Sequence, residues 1–571
     1  MEEKRKVLKP DVLVIGTGAA GLRAAIEARR YGAEVLVVDK SLIGVNNNTV
    51  FAGGGLKAAL PGILDESMAK GYQTPEEHIA DTIRYGAYLN NQKLVEILGV
   101  EATARLLELQ EFGVEHFENL RLHQDTSAKY GGKLTKPMAA HCKKMGVRLR
   151  PHTTIYDFVV EDDAIRGAVA FDSLSGRRLV IRTGAIIVAT GGAGEVYLRN
   201  NTVSQTTGEA FSMAFRVGAE LIGMELVQID PYILAEPELP HWYVHPCKAR
   251  FLAVLRNANG EPFLTKHIPL KGKLEDPFPV RYGVHPPDVR ETISRAMYLE
   301  VLEGRGENGT VMLDCTKVPE EEWLKDPADT HSRKAILRGF DLQKRMIHML
   351  PGAIHNLGGI RINERCESSV SGLYAAGECA GLIHGSGRLG GNALSDCIVF
   401  GAIAGRESAK YATSIQRPSG DEELFKEREA LLDDILREKD NPLTPRDVKN
   451  SIKNITWNCA GPVRWEEGLK DGLKDLEKLK DRDMPLMQTA PSRPLHVKEA
   501  VEAYHMATVG EMIIRSALMR RESRGGGHYR LDYTEEDNKN WFKNILIRND
   551  KGQMVLETVP VEVTRFDPPV A

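Results

Sequence analysis

Asp11-Val-Leu-Val-Ile-Gly-Thr-Gly-Ala-Ala-Gly21 opens the stretch that decides the fold, which continues through Arg30 to Glu34-Val-Leu-Val-Val-Asp39. DVLVI is a short apolar run, Ala20 to Arg30 has helical composition closed by Gly32, and Glu34 to Val38 is a second apolar run. Strand, helix and strand in that order predict the start of a parallel sheet, whose neighbours need a crossover. Gly16, Gly18 and Gly21 form GxGxxG at the junction of strand and helix, with Ala19 and Ala20 inside the turn. There, backbone amides and the positive end of the helix dipole hold a pyrophosphate. Asp39 follows Gly21 by 18 residues, at the end of the second strand, where a carboxylate accepts hydrogen bonds from an adenosine ribose. The pattern predicts a dinucleotide, either FAD or NAD. Lys40, Thr49 and Gly54 are assigned to the same cofactor site.

The whole chain bounds what surrounds this unit. At 571 residues, more than one domain is expected. With 42% hydrophobic and 27% charged residues the composition is that of a soluble globular protein. Its 79 acidic residues nearly cancel 75 basic ones, which points away from nucleic acid and anionic membrane and toward a small partner. MEEKRKVLKP leaves no room for the apolar core of a secretory signal, so the mature chain is expected to start near Met1. No apolar run approaches the roughly 18 residues that cross a bilayer. Seven scattered cysteines without a CxxC pair favour a reducing, cytoplasmic setting and no cluster bound by this chain; no metal site is assigned.

Further along, Ile155 to Ile181 reads as a hairpin-like stretch with polar breaks, followed by a buried strand at Ala185 to Ala189. From Pro231 to about Leu350 the texture becomes proline-rich, with HPPDV and KDPADT, as in an inserted domain with long loops. Strand and glycine turn return at GLYAAGE (372–378), so the nucleotide-binding unit is discontinuous. Beyond Pro418, Leu424, Leu431, Ile435 and later Val501, Tyr504, Val509, Met512 and Ile513 are spaced as in a helical bundle. A turn at Asp550 to Gly552 predicts a terminal hairpin. The expected class is α/β: a discontinuous Rossmann-like dinucleotide-binding domain (1–231 and 353–417), an inserted α+β capping domain (232–352), a helical bundle (418–530) and an extension (531–571).

Three stretches separate flavin from nicotinamide: Ala189-Thr-Gly-Gly-Ala-Gly194, Thr207-Gly-Glu-Ala-Phe-Ser-Met-Ala-Phe-Arg-Val-Gly-Ala219 with Met224-Glu-Leu-Val-Gln228, and Gly372-Leu-Tyr-Ala-Ala-Gly-Glu378. Together they resemble the flavoprotein subunit family of succinate dehydrogenase and fumarate reductase, which includes L-aspartate oxidase. The resemblance extends through HNLGGI and HGSGRLGGNALSDCIVFGAIAG (355–405), WNCAGPVR (457–464) and RRESRGGGHYRLDYTEEDNKNW (520–541), and so covers nearly the full length. It implies FAD, held by Thr190, Gly191 and Glu209 in addition to the residues above. It further implies that Glu378 bonds the ribityl or ribose hydroxyls and that Asn392, Ala393 and Leu394 lie near the isoalloxazine carbonyls.

The same resemblance implies the chemistry. Reducing a double bond beside a carboxylate requires hydride from the flavin, a proton donor on the opposite face, and cations that polarise the carboxylate. Arg290 in DVRETISRAM matches the family's proton donor, although a guanidinium normally stays protonated; the alternative is an ordinary salt bridge. Arg388 matches the arginine that clamps a substrate carboxylate bidentately. His355 and His384, each beside a glycine-rich turn, are substrate-contact candidates. Arg524 and His528 match positions that close the cap, with an exposed charge run as the alternative.

Where membrane-linked members carry the histidine that bonds the flavin, Asn48 stands here before Thr49, so FAD is expected to be non-covalent. The family's His-Pro-Thr reads Asp230-Pro231-Tyr232, placing a carboxylate beside a dianionic substrate unless it is protonated or paired with an arginine. An additional glycine in Arg524-Gly-Gly-Gly-His528 and a shorter loop before His141 are further departures. The leading expectation is reduction of fumarate or a related unsaturated dicarboxylate with electrons from an iron–sulfur partner protein. An L-aspartate oxidase-like enzyme and an electron-relay flavoprotein are the alternatives, and HGSGRLGG weighs against an adenylylsulfate-reductase-like role.

Overall fold

The computed structural model describes residues 5–52, 55–59, 74–114, 130–236, 253–267, 289–318, 344–416 and 421–569. A fully parallel five-stranded sheet runs in the order Leu373–Ala375, Ala185–Val188, Val12–Ile15, Val35–Val38, Arg148–Arg150. Every residue of its three central strands is buried, which is why they read as unbroken apolar runs rather than alternating ones. Helix Ala19–Arg30 is the first crossover and packs along helix Asn392–Ser414. The edge strand Leu373–Ala375 comes from far later in the chain, so the dinucleotide-binding unit is indeed discontinuous. Gly16 has φ +104°, and a Cβ there would lie 2.3 Å from the Ala189 carbonyl oxygen, so only glycine lets the first strand turn into the helix against its neighbour.

A second sheet joins Lys6–Leu8, Arg178–Arg182, Ala164–Asp172 and Thr153–Glu161. The hairpin-like stretch with two polar breaks supplies three strands, two of them linked by Asp162 and Asp163, both with positive φ, as a tight two-residue turn requires.

The region expected to be an inserted α+β domain contains an antiparallel sheet in the order Val227–Leu234, Ile347–Asn356, Val311–Asp314, Val254–Arg256, with helix Val289–Leu302 packed on it. KDPADT, and HPPDV up to its last residue, lie outside the described residues, as does Gly54. The first strand runs through position 231 with a register break between Asp230 and Ile233, where Pro231 has no N–H to give the ladder.

Helices Glu422–Leu436, Pro445–Ala460, Glu466–Lys478 and Pro494–Met519 form the C-terminal helical part. In the first, the fully buried apolar residues are Phe425, Leu432 and Ile435, while the expected Leu424 and Leu431 are half-buried beside them. Pro494–Met519 is buried along most of its length, so its apolar residues do not form a single stripe. Strands Lys543–Asp550 and Gln553–Pro560 make the expected hairpin around Lys551 and Gly552, and the first of them pairs with Leu221–Ile222. Among the described residues no helix is long and apolar enough to cross a membrane.

Candidate active site

Helix Ala19–Arg30 starts on Gly18 with no side-chain cap of its own and no acid in its first turn, so the positive end of its dipole and amides after Ala19 face an anion site. The Ala19 amide donates to Thr49 Oγ1 at 3.1 Å, which ties the following segment to this turn. Asp39 accepts from the Thr17 amide (3.0 Å), Thr17 Oγ1 (2.6 Å) and the Ser41 amide (2.8 Å). A carboxylate has about four lone-pair positions, so capacity remains for a ribose hydroxyl. Thr190 Oγ1 is buried with no hydrogen-bond partner, and it follows directly on the strand end that abuts Gly16. An uncapped helix start, an acid with spare capacity and an orphaned hydroxyl fit the pyrophosphate and ribose of a dinucleotide.

Lys40 and Glu209, both assigned to the cofactor, bond to each other. Lys40 also donates to Thr207 Oγ1 (2.7 Å) and Glu502 Oε1 (3.0 Å), so its three N–H groups are committed within the protein. Burial lowers the Lys40 pKa, but Glu209 and Glu502 outweigh that and hold it above the ordinary lysine value. Glu502 lies on helix Pro494–Met519, so this cluster pins the helical part to the dinucleotide unit.

Glu378 is the acid between the cradle and the remaining site residues. Its Oε1 accepts from the Asn356 amide at 3.0 Å, and Asn48 is a side-chain partner. Burial pushes it up to about 7, against the opposing effects of those hydrogen bonds and of Arg388. Asn392 heads its helix after Gly391; its Oδ1 is 2.8 Å from His78 Nε2, and its Nδ2 donates to Thr82 Oγ1 at 2.9 Å. The side chain of Asn392 is therefore engaged by helix Pro75–Tyr85, while Ala393 and Leu394 continue the first turn.

The four catalytic candidates converge. His355 and His384 are buried with ring centroids 5.5 Å apart. His355 Nδ1 is 3.7 Å from Glu378 Oε1, and His384 Nε2 is 3.3 Å from Asp396 Oδ2. The opposite nitrogens, His355 Nε2 and His384 Nδ1, are buried without a hydrogen-bond partner. Burial, then the charges of Arg388, His384 and Arg290, hold His355 well below the usual histidine range, so it is neutral at physiological pH. Burial raises the Asp396 pKa, against the opposing effects of His384 and then Arg388.

Arg290 donates from Nη2 (2.9 Å) and Nε (3.2 Å) to Glu291 Oε1, and its Nη1 lies 3.8 Å from Asp230 Oδ2. It is thus an ion-paired residue that also faces the site. The fully buried Asp230 has the arginine neighbour that its position requires. Gln228, Glu291, Asn356 and Asp396 were not singled out from the sequence. Gln228 Nε2 donates to Glu291 Oε1 (2.9 Å) and to the Arg388 carbonyl (3.2 Å), while Asn356 Oδ1 accepts from the Ala193 amide at 2.6 Å. The available signal was adjacency: Glu291 and Asn356 each follow a candidate residue directly.

Arg524 and His528 are 1% exposed each, so they do not belong to an exposed charge run. Arg524 donates two bonds of 2.8 Å to Glu522, which also accepts from Arg520 at 2.7 Å. Arg464 Nη1 donates to the Glu225 carbonyl (2.7 Å) and to His528 Nδ1 (2.6 Å).

A dinucleotide cradle that leads through Glu378 to two arginines and two histidines is the arrangement of a dinucleotide-dependent oxidoreductase. The comparisons with known proteins make this specific. The FAD binding domain model matches residues 11–394, and the fumarate reductase flavoprotein C-terminal model matches 449–571. The chain belongs to the fumarate reductase and succinate dehydrogenase flavoprotein family, and it is an FAD-dependent oxidoreductase. It is 32% identical over 558 residues to a component of the CoM/CoB fumarate reductase of Methanothermobacter marburgensis, covering 94% of this chain and 96% of that one. Against the fumarate reductase flavoprotein of Escherichia coli it is 27% identical over 597 residues, covering 99% and 96%. A solved variant of the Escherichia coli quinol fumarate reductase protein FrdA superimposes with a TM-score of 0.86 at 26% identity, covering 99% of both chains. Mycobacterium smegmatis Sdh1 does so at 0.85 and 28%, covering 99% of this chain and 96% of that one.

Proposed function

We propose that this chain is the flavoprotein subunit of an enzyme that reduces the carbon–carbon double bond of fumarate or a related unsaturated dicarboxylate. The observation that carries the reading is the meeting of Arg290, Arg388, His355 and His384 around two buried ring nitrogens with no partner in the protein. FAD, when bound, supplies the hydride. Arg388 holds one substrate carboxylate through paired N–H donors. Neutral His355, in its Nε2–H tautomer, donates to a substrate oxygen, and His384 stands beside it with Asp396 behind. Arg290, braced by Glu291 and Asp230, delivers the proton; that role rests on the family resemblance.

Electrons come from an iron–sulfur partner protein. This reading is supported by the complexes to which the similar flavoproteins belong and by the lack of a cluster motif in the sequence. We place the chain in the cytoplasm, peripheral to any membrane its partners occupy. An amino-acid oxidase would need a carboxylate free for the substrate ammonium, and the arginine beside Asp230 favours a dicarboxylate that carries no ammonium group.

The test is anaerobic stopped-flow mixing of dithionite-reduced, flavin-loaded protein with fumarate. Reoxidation within the turnover time supports the reading. Absence of reoxidation by fumarate, with reduction of the oxidised protein by L-aspartate, would transfer the chain to the amino-acid oxidases.

A further inference from the structure

We propose that the turn Gly525–Gly527 is a positioning element for the proton-donating arm of the site: it fixes Glu291 and, through Glu291, the guanidinium of Arg290. The inference rests on the reading of Arg290 as the proton donor.

The turn touches the segments that carry His384 and Arg388, Gln228, and Arg290 with Glu291. Its ends are held by an antiparallel bridge, with the Arg524 amide donating to the His528 carbonyl at 2.9 Å. The amides of Gly526 and Gly527 both donate to the Ser386 carbonyl, at 3.0 and 2.8 Å, and Ser386 Oγ donates back to the Arg524 carbonyl at 2.8 Å. Ser386 stands midway between His384 and Arg388. The Gly527 carbonyl accepts from the Val227 amide at 3.1 Å, one residue before Gln228. On the remaining side, a Cβ at Gly526 would lie 2.4, 2.6 and 3.0 Å from Cγ, Cδ and Cβ of Glu291.

That last contact is the specific one. Glu291 Oε1 receives three donors, Nε and Nη2 of Arg290 and Nε2 of Gln228, and the residue is buried. Burial would raise its pKa, but Arg290 foremost and the hydrogen bonds hold it below the usual range, so it is the carboxylate that faces the guanidinium. The backbone of Gly526 forms a wall against the methylenes of Glu291, and no larger residue fits without moving that carboxylate. The wall does not yield readily, because Arg524 and His528 on either side are locked to Glu522 and Arg464. A misplacement of about 1 Å in such an arrangement costs on the order of 100-fold in rate.

The experiment compares Gly526→Ala, Glu291→Gln and Arg290→Ala in the full-length, flavin-loaded protein. Flavin content, kcat, KM for fumarate and the affinity for unreactive malonate, read from flavin absorbance, are measured for each. Gly526→Ala is expected to lower kcat by roughly 10- to 100-fold while flavin content stays full and KM and malonate affinity stay within about twofold. Glu291→Gln adds no atom and is expected to show the same split, so it decides the matter if Gly526→Ala fails to fold. An unchanged kcat in a folded Gly526→Ala protein overturns the proposal. So does a raised KM at constant kcat, which assigns the turn to the Arg388 side. Full turnover by Arg290→Ala removes the proton-donor reading itself, a different failure from that of the turn.

Discussion

Gln228 lies directly across the strand pair from His355, and its side chain reaches on to Glu291 and to the Arg388 carbonyl. One amide thus links the strand of one histidine, the helix of one arginine and the loop of the other. The antiparallel register of Val227–Leu234 with Ile347–Asn356 sets these distances, so the site inherits its geometry from a sheet rather than from loops alone.

The carboxylate at position 230 makes the first prediction. Asp230 is buried 3.8 Å from Arg290 Nη1, and an ionised carboxylate there would oppose the dianionic substrate of the proposed reaction. Asp230→Asn keeps the shape and removes the charge, and it is expected to lower KM for fumarate by roughly 3- to 30-fold. Steady-state kinetics read this directly; an unchanged KM would mean that Asp230 carries no charge felt by the substrate.

The flavin is expected to leave the protein intact. Asn48, whose Oδ1 accepts from the Val203 amide at 2.9 Å, offers no ring nitrogen for attachment. Acid precipitation should release all the yellow colour to the supernatant as FAD. Flavin fluorescence remaining in the washed pellet would refute non-covalent binding.

A pH effect on stability follows from Glu378. Burial holds it at about 7 in the folded protein against 4.5 unperturbed, so the folded state binds its proton more tightly than the unfolded state. Its contribution is fully present below about 4.5 and is lost as pH rises through 7, a span worth about 3 kcal/mol. Flavin-free protein should therefore lose stability between pH 5 and 8 relative to Glu378→Gln, by about 2–3 kcal/mol in denaturant titrations. Parallel pH profiles for the two proteins would show that Glu378 does not titrate in this range.

Glu522 is the hub of the buried arginine network, accepting from Arg520, Arg524 and the Asp537 amide. Glu522→Ala leaves two buried guanidiniums without their shared carboxylate, and a loss of about 3–5 kcal/mol is expected. The denaturation midpoint checks this, and a shift too small to measure would place the network's strength elsewhere.

The nucleotide-binding unit was legible because its signals are local: Gly16, Gly18, Gly21 and Asp39 fall within one strand–helix–strand unit, and the Asp39 carboxylate bonds to the Thr17 amide inside the motif. Arg290, Arg388, His355 and His384 were legible only through resemblance, since no periodicity brings residues so far apart together. The engagement of Lys40 by Glu502 was not legible, because a partner 462 residues away leaves no mark on local composition. Leu424 and Leu431 pack against the core from half-buried positions. Each has an apolar neighbour, Phe425 and Leu432, and the helix buries the neighbour more deeply, a choice made by the sheet it packs on rather than by helical spacing.

The bond from Ser386 to the Arg524 carbonyl spans 138 residues. On a ribosome adding roughly 5–20 residues per second, the loop of Arg388 waits on the order of 10 s for the turn that fixes it. A nascent or prematurely ended chain therefore carries Arg290, His355, His384 and Arg388 before the turn that bonds to Ser386 has been made.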